Sequence, residues 1–375
     1  MSIAACSSCS ETFSDAVRIA GHCRKLPMKV VQAAYARRPR SAAPSGFLIA
    51  SASIIVASMV AIAAVNRYLA KRAEAKNPPK GRFVEANGVR LHYMERGDGD
   101  PIVLLHGNGS VVQDFECSGL FDIAARQYRV VAFDRPGFGH SRRPRSVVWT
   151  PDAQAKLLKL ALEKIGVSTA IVLGHSWGAP VAVAMAHQYP AFVRGLVLAS
   201  GYYYPSVRSD TFISLPASLP LVGDILSHTL SPLVERLAWP MMMAKMFGPR
   251  LVPAKFNGFP KEMALRPSQL RAAAAEATLM VPDALRERGY YGDLKMPVAI
   301  IAGAQDKLVD TEAQSARLHS DIPHSSFHRI AGNGHMIHQT ATEEVMSALR
   351  ESYERVDGRR VVADRDFLQC GLALE

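Results

Sequence analysis

The sequence predicts an α/β fold: a mostly parallel sheet with helices on both faces, an inserted helical cap, and a transmembrane helix ahead of it. Three observations carry this. Short apolar runs of strand length alternate with longer segments of helical periodicity. One such run, Ala170 to Leu173, stops at Gly174-His175-Ser176-Trp177-Gly178, and a helical run of Ala, Val and Met follows at once. Gly46 to Val65 is a stretch of 20 residues without a charge, long enough as a helix to span about 30 Å, the thickness of a bilayer core.

Charge locates the parts. The net charge of +11 would suggest nucleic acid if it were spread over a folded surface, but it clusters beside the apolar run. Residues 1–45 carry seven Lys and Arg against Glu11 and Asp15, and residues 66–82 carry six against Glu74. Residues 83–375 are therefore close to neutral and show no basic stripe with interleaved aromatics, which excludes a nucleic-acid partner. Basic flanks around an uncharged run favour a span that contacts lipid headgroups. The flank after the run is slightly the more basic, which leans towards a cytoplasmic placement of the rest. A secretory signal fits poorly, since the run is long and lies far from residue 1.

Residues 1–45 read as a basic, disordered leader, 46–65 as the span and 66–82 as a basic linker. Five scattered cysteines give no disulfide framework. Cys6-x-x-Cys9 with His22-Cys23 has no second pair, so no metal is expected there. Met28 offers a later start of translation.

The globular part opens with Asn87-Gly88 between two β-rich runs, a strong hairpin signal. Pro101 to Leu105 is a buried-strand run that ends at His106-Gly107, and Tyr128 to Phe133 is another, ending at Asp134-Arg135-Pro136-Gly137. Thr150 reads as an N-cap with Pro151 at the first helical position. Leu157, Leu158, Ala161 and Ile165 keep helical spacing until Gly166. Val193 to Ala199 and Val298 to Ala302 are further strands. The alternation fails over 202–290, a proline-containing stretch with helical runs, which reads as a cap inserted between 83–201 and 291–355. Residues 356–375 read as a polar tail.

Ser176, pinned between small residues at a strand-to-helix turn, is the candidate nucleophile. A serine hydroxyl needs an adjacent base, itself oriented by a carboxylate. Asp306 ends the strand at 298–302, and His335 sits in the glycine-rich loop Gly332-Asn333-Gly334-His335 after the run Phe327 to Ala331. His106, His175 and His338 are rival histidines, and Asp310 and Asp134 rival acids; Asp134 reads as a turn brace. Backbone N–H groups of Trp177 and Asn108 are the expected oxyanion donors, with the two side chains free to shape a pocket or, for Trp177, to pack beneath the cap.

These motifs resemble the α/β-hydrolase superfamily over about residues 83–350. They are His106-Gly107-Asn108-Gly109, Asp134-Arg135-Pro136-Gly137-Phe138-Gly139-His140-Ser141, Gly174-His175-Ser176-Trp177-Gly178, Asp306 and Gly334-His335. The likeness is nearest to the cap-bearing branch of bacterial esterases, haloperoxidase-like enzymes and epoxide hydrolases. The resemblance implies a Ser176-His335-Asp306 triad, no cofactor and a cap formed by about residues 202–290; together with the apolar span it leads to the expectation of a membrane-anchored hydrolase of an ester or related acyl bond at a bacterial inner membrane. Epoxide hydrolases and haloalkane dehalogenases of that branch place Asp at the elbow; Ser176 departs from them. A carbon–carbon bond hydrolase, a perhydrolase and an inactive tethered scaffold share enough of the pattern to stay open. The apolar cap residues Leu215, Leu219, Leu221, Trp239, Met241 and Phe247 suggest a small, apolar ester as substrate. The oligomeric state is left open.

Overall fold

The computed structural model describes residues 45–206, 216 and 218–372; the leader with Cys6, Cys9, Cys23 and Met28, together with Leu215, lies outside them. Two compact units divide the chain after Val56, inside helix α1 (Ser45–Lys76). Of the first unit, Ile49, Ile54, Ile55 and Val56 stand exposed. The rest of the fold belongs to the second unit.

Eight strands form one sheet: β1 (Arg82–Ala86), β2 (Val89–Arg96), β3 (Pro101–Leu105), β4 (Arg129–Phe133), β5 (Ala170–His175), β6 (Val193–Ala199), β7 (Val298–Gly303) and β8 (Ser326–Ile330), in the order β1-β2-β4-β3-β5-β6-β7-β8. β2 runs antiparallel to both of its neighbours, and the other pairings are parallel. The β1–β2 turn places Asn87 at φ 48° and Gly88 at φ 74°. Two successive left-handed residues are what a type I′ hairpin needs, and Asn-Gly adopts them at little cost.

The central strands are apolar over most of their length because both faces are covered. Over one face lie α2 (Pro151–Lys164) and α3 (Gly178–Gln188), which contribute Leu157, Leu158, Leu162, Val181 and Met185 to the larger core. Over the other lie residues 113–124 and the start of α7 (Thr342–Leu372), with Phe115, Phe121, Val345 and Leu349. α2 begins as expected: Thr150 accepts from Ala153 N and Pro151 occupies the first turn. The last helix continues to Leu372, through much of the stretch expected as a tail.

Between β6 and β7 the described residues hold no strand. They form α4 (Val222–His228), α5 (Leu230–Phe247), α6 (Pro267–Glu287) and shorter turns. α1 does not stop where the apolar run ends. It continues to Lys76, through the first part of the stretch expected as a linker, because Arg67, Lys71, Arg72, Glu74 and the intervening alanines are strong helix formers. Its later part docks: Asn66 Nδ2 donates to His228 O (2.9 Å) and Thr229 O (2.8 Å), and Glu74 pairs with Arg266 at 2.7 Å.

The parallel strands end together. Leu105 lies opposite Phe133 and Gly174, His175 opposite Ala199, and Gly303 opposite Ile330. The loops that follow them thus share one rim, where groups from distant parts of the chain can meet.

α6 carries a cost at its far end. Asp283 and Glu287 are buried, and Asp283 Oδ2 and Glu287 Oε1 have no hydrogen-bond partner. Desolvation pushes Asp283 up to about 6 and Glu287 well above the usual carboxylate range; Asp152 adds repulsion to both. A folded-state pKa above the unfolded one means the native state holds a proton that the unfolded chain has lost, so stability falls as pH rises through that window. Buried His106 and His175, shifted down, act in the opposite sense, so the difference between variant and parent isolates the acids. We expect Glu287→Gln to melt above the parent protein by a margin that widens from about pH 5 to about pH 8. A margin independent of pH in thermal melts would contradict this account.

Candidate active site

Ser176 sits at φ 52°, in the left-handed region where a non-glycine residue is strained by roughly 1–3 kcal/mol. The turn is locked by Ser176 N donating to Ala199 O and Ala179 N donating to Ser176 O, at 2.9 and 3.0 Å. Both flanking glycines are required by space. A Cβ at Gly174 would lie 2.4 Å from Gly178 O, and one at Gly178 would lie 2.1 Å from Leu105 O. The sharp turn can therefore press against β3 only with no side chain at either position.

The turn aims the serine hydroxyl at His335, with Ser176 Oγ 3.0 Å from His335 Nε2. His335 Nδ1 lies 2.8 Å from Asp306 Oδ2. Asp306 is fixed from its other oxygen, which accepts from Leu308 N (2.8 Å) and Val309 N (2.9 Å). The Asp306 and His335 side chains are both 1% exposed, so their contact is shielded from water. The three residues expected from the sequence thus meet at the rim, and the carboxylate holds the ring so that Nε2 faces the hydroxyl.

The rivals have other partners. His106 donates from Nδ1 to Gly107 O and accepts at Nε2 from Arg135 N; burial pushes it down to about 3, aided by Arg135. Asp134 accepts from Val112 N, His140 N and His92, bracing the turn. Asp310 is exposed and accepts from Ala313 N. His175 and His338 lie beside His335, their rings 4.2 Å apart, with His338 Nε2 3.0 Å from Asp114 Oδ1. Asp114, His175 and His338 bring ligand atoms within 4.8 Å of one another. Desolvation would raise the Asp114 carboxyl, but His338, His175 and Gln339 together hold it below the usual range, and its oxygens already accept from Gln339 and Ser110. The Asp114 oxygens are thus occupied, while His175 Nδ1 and His338 Nδ1 are buried without a hydrogen-bond partner.

The loop over the serine is held from below by a residue that the sequence reading left in a turn motif. Arg135 donates from Nε to His106 O (2.7 Å) and from Nη2 to Gly107 O (3.1 Å). The Gly107 carbonyl shares its peptide plane with the Asn108 N–H, and in a trans peptide the two point in opposite directions. Holding the carbonyl therefore fixes the direction of the N–H expected as an oxyanion donor. Arg135 is itself held by Glu276 of α6, at 2.5 and 3.0 Å, and by Gln154 at 2.9 Å. The signal was a lone Arg at a strand tip, and its partner lies 141 residues away.

The loop's glycine is close against Ser176: a Cβ at Gly107 would stand 3.0 Å from Ser176 Cβ. The Asn108 side chain donates to Ala273 O of α6 (3.1 Å). The Trp177 side chain is fully buried against Tyr202, Met280 and Ala284, so it packs beneath the inserted helices and does not shape the pocket. A cavity of about 560 Å³ opens above Ser176 and His335, walled by Asn108, Trp239, Met243, Met246, Phe256 and Met280 among others. Of the apolar residues expected to face a substrate, Trp239 does so. Phe247 is in the core of the inserted helices, and Leu219, Leu221 and Met241 point outward.

A sheet with one antiparallel strand near its edge, a strained serine at the tip of β5 and an Asp and a His from later strand tips define a class, and the chain belongs to it. The α/β hydrolase fold family model matches residues 100–342. Haloalkane dehalogenase 2 of Mycobacterium tuberculosis is 25% identical over 289 residues, covering 74% of this chain and 96% of that protein. 2-Hydroxymuconate semialdehyde hydrolase of Pseudomonas putida is 25% identical over 279 residues, covering 70% and 90%. Among solved structures, a thermophilic esterase from Thermogutta terrifontis superposes with a TM-score of 0.62 at 21% identity, covering 74% of this chain and 99% of that one.

Removing one partner of a buried ion pair strands the other charge, which typically costs about 3–5 kcal/mol. We expect Arg135→Met to lower stability by that amount in denaturant unfolding, and Arg135→Met with Glu276→Met to recover most of it. A single variant as stable as the parent would show that the pair does not clamp the rim.

Proposed function

We propose that the protein is a membrane-anchored serine hydrolase that cleaves an ester or related acyl bond. The observation that carries this reading is the hydrogen-bonded chain Ser176–His335–Asp306, at 3.0 and 2.8 Å. In this mechanism Ser176 Oγ attacks the substrate carbonyl carbon while His335 Nε2 takes the hydroxyl proton. The carbonyl oxygen becomes an oxyanion that receives the Asn108 and Trp177 N–H groups. His335 then gives its proton to the departing alkoxide, leaving an acyl-enzyme. Water, deprotonated by the same ring, attacks the acyl carbon, and collapse returns Ser176 with its proton. Asp306 keeps the ring oriented and stabilises its positive charge in both halves.

Ser176 at the elbow favours acyl transfer over the alkyl-enzyme route expected of the branch with Asp there. The walls of the cavity, built from methionines, phenylalanines and Trp239, suit an apolar acyl or alkyl chain, and α4 to α6 serve as the cap that encloses it. α1 is long and apolar enough to cross a membrane, and its exposed apolar side chains suit lipid.

A fluorophosphonate probe should label the parent protein and fail to label Ser176→Ala. On a water-soluble p-nitrophenyl ester, Ser176→Ala and His335→Ala should lower kcat by ~10⁴-fold or more, and Asp306→Asn by ~10⁴-fold, with KM little changed. Labelling that persists in Ser176→Ala would remove the assignment.

A further inference from the structure

We propose that the outer face of α4 and α5 docks onto a lipid bilayer, so that the cavity fills from the lipid phase with an ester dissolved there. This rests on reading α1 as a membrane anchor.

Along α5, Leu230, Leu233, Val234, Leu237 and Met241 recur at helical spacing, exposed by 44% to 75%. Ile225 of α4 and Leu221 ahead of it extend the face, at 53% and 76% exposed. Surface leucines scattered singly need no explanation, but a continuous stripe on one helix face marks an interaction surface. The stripe also reaches the cavity, since Leu226, Leu230 and Val234 contribute to its wall. The apolar face and the cavity are therefore continuous at the first turns of α5.

The occupant is indicated by Asn66. It is the first polar residue after the uncharged run, so in an anchored protein it marks the level at which α1 leaves the hydrocarbon. Its side chain is 5% exposed as a residue and donates to His228 O and Thr229 O, the junction between α4 and α5. Leu230 follows at once. The rim of the cavity thus sits within a residue or two of the membrane boundary, and the stripe that begins there lies at the depth of headgroups and upper acyl chains. The charges agree with that depth. Arg67, Lys71, Arg72 and Lys76 follow Asn66 on α1, where they meet anionic headgroups. Glu235, the acidic residue within the α5 part of the stripe, lines the cavity, and desolvation raises its carboxyl above the usual range, while Asp224, between Leu221 and Ile225, is paired with Arg145 and Arg271. A bilayer covers an apolar stripe, a basic collar and an anchored helix end together.

The test uses the full-length protein in phosphatidylcholine vesicles containing phosphatidylglycerol, with brominated acyl chains as quencher. Leu237→Trp should show quenching beyond that of the parent, whose three tryptophans form a common background. Ile55→Trp should show it too, reporting the anchor independently. Quenching at 55 without quenching at 237 would overturn the docking and leave the anchor standing; quenching at neither would overturn both. Hydrolysis is read separately. Leu233→Glu, Leu237→Glu and Met241→Glu, none of which lines the cavity, should together lower the rate on a long-chain ester carried in vesicles by about tenfold, with the rate on a water-soluble ester unchanged. Equal rates on the vesicle-borne ester would overturn the proposal. Loss of the soluble rate in the unmutated protein would count against the hydrolase reading, while the quenching result still decides the docking.

Discussion

One fully buried ion pair joins the parts of this molecule that have to stay in register. Arg135 stands at the tip of β4, Glu276 in the middle of α6, and the guanidinium spends its remaining donors on the carbonyls of His106 and Gly107 and on Gln154. Burying two charges costs several kcal/mol each, and a bare Coulomb attraction does not dependably offset it. What offsets it here is saturation. Both Glu276 oxygens accept, and Gln154 also donates to Oε1. An apolar pair of the same volume would hold α6 against the rim equally well. It would not hold the Gly107–Asn108 peptide in one orientation, because only a directional donor can do that. The ion pair is therefore better understood as specifying geometry than as adding stability.

Much of this was legible in the sequence for local reasons. Asn87-Gly88 encodes its hairpin through two left-handed residues, and the buried strands read as unbroken apolar runs because the sheet is covered on both sides. Ser176, Asp306 and His335 could be placed because each lies just past a strand, in a turn or loop that contains glycine, so chain position alone put them on one rim. What the sequence hid was long-range or directional. Arg135 and Glu276 read as ordinary charged residues, since nothing local says that a charge will be buried against a partner far along the chain. Trp177 neighbours Ser176, yet the turn sends consecutive side chains to opposite sides, and it goes to the core beneath the inserted helices. The apolar residues of 202–290 could be counted but not oriented, which is how outward-facing Leu221 and Met241 came to be grouped with inward-facing Trp239.

The continuation of α1 past Val65 has the same lesson with a physical twist. Hydropathy ends at residue 65, but helix propensity does not, because Lys, Arg, Glu and Ala prolong a helix as well as apolar residues do. The chain from 66 to 76 is thereby a stiff extension whose side chains can be positioned, where a flexible linker would leave them free. Asn66 and Glu74 use that stiffness to bond the α4–α5 junction and Arg266. The orientation of the hydrolase unit against the end of α1 is thus fixed by hydrogen bonds within the folded unit, and does not depend on the length of a tether.

α5 then connects the proposed membrane face to the chemistry. Its first turns form the rim of the cavity, its inner face supplies Trp239, Met242 and Met243 to the wall, and near its end the carbonyl of Met246 accepts from His335 N at 3.0 Å and Met336 N at 3.3 Å. The His335 loop is therefore suspended between Asp306, just past β7, and the backbone of the helix that lines the cavity. A displacement of α5 large enough to widen the mouth must either break the bonds to Met246 or carry the His335 loop with it. A shift of about 1 Å at a proton-transferring ring is enough to cost orders of magnitude in rate. Access from the rim is consequently compatible with turnover only if the first turns of α5 move while its last turn stays bonded. Pro240 lies between the two, where it has no N–H to donate to the helix ladder and so weakens the helix at that point.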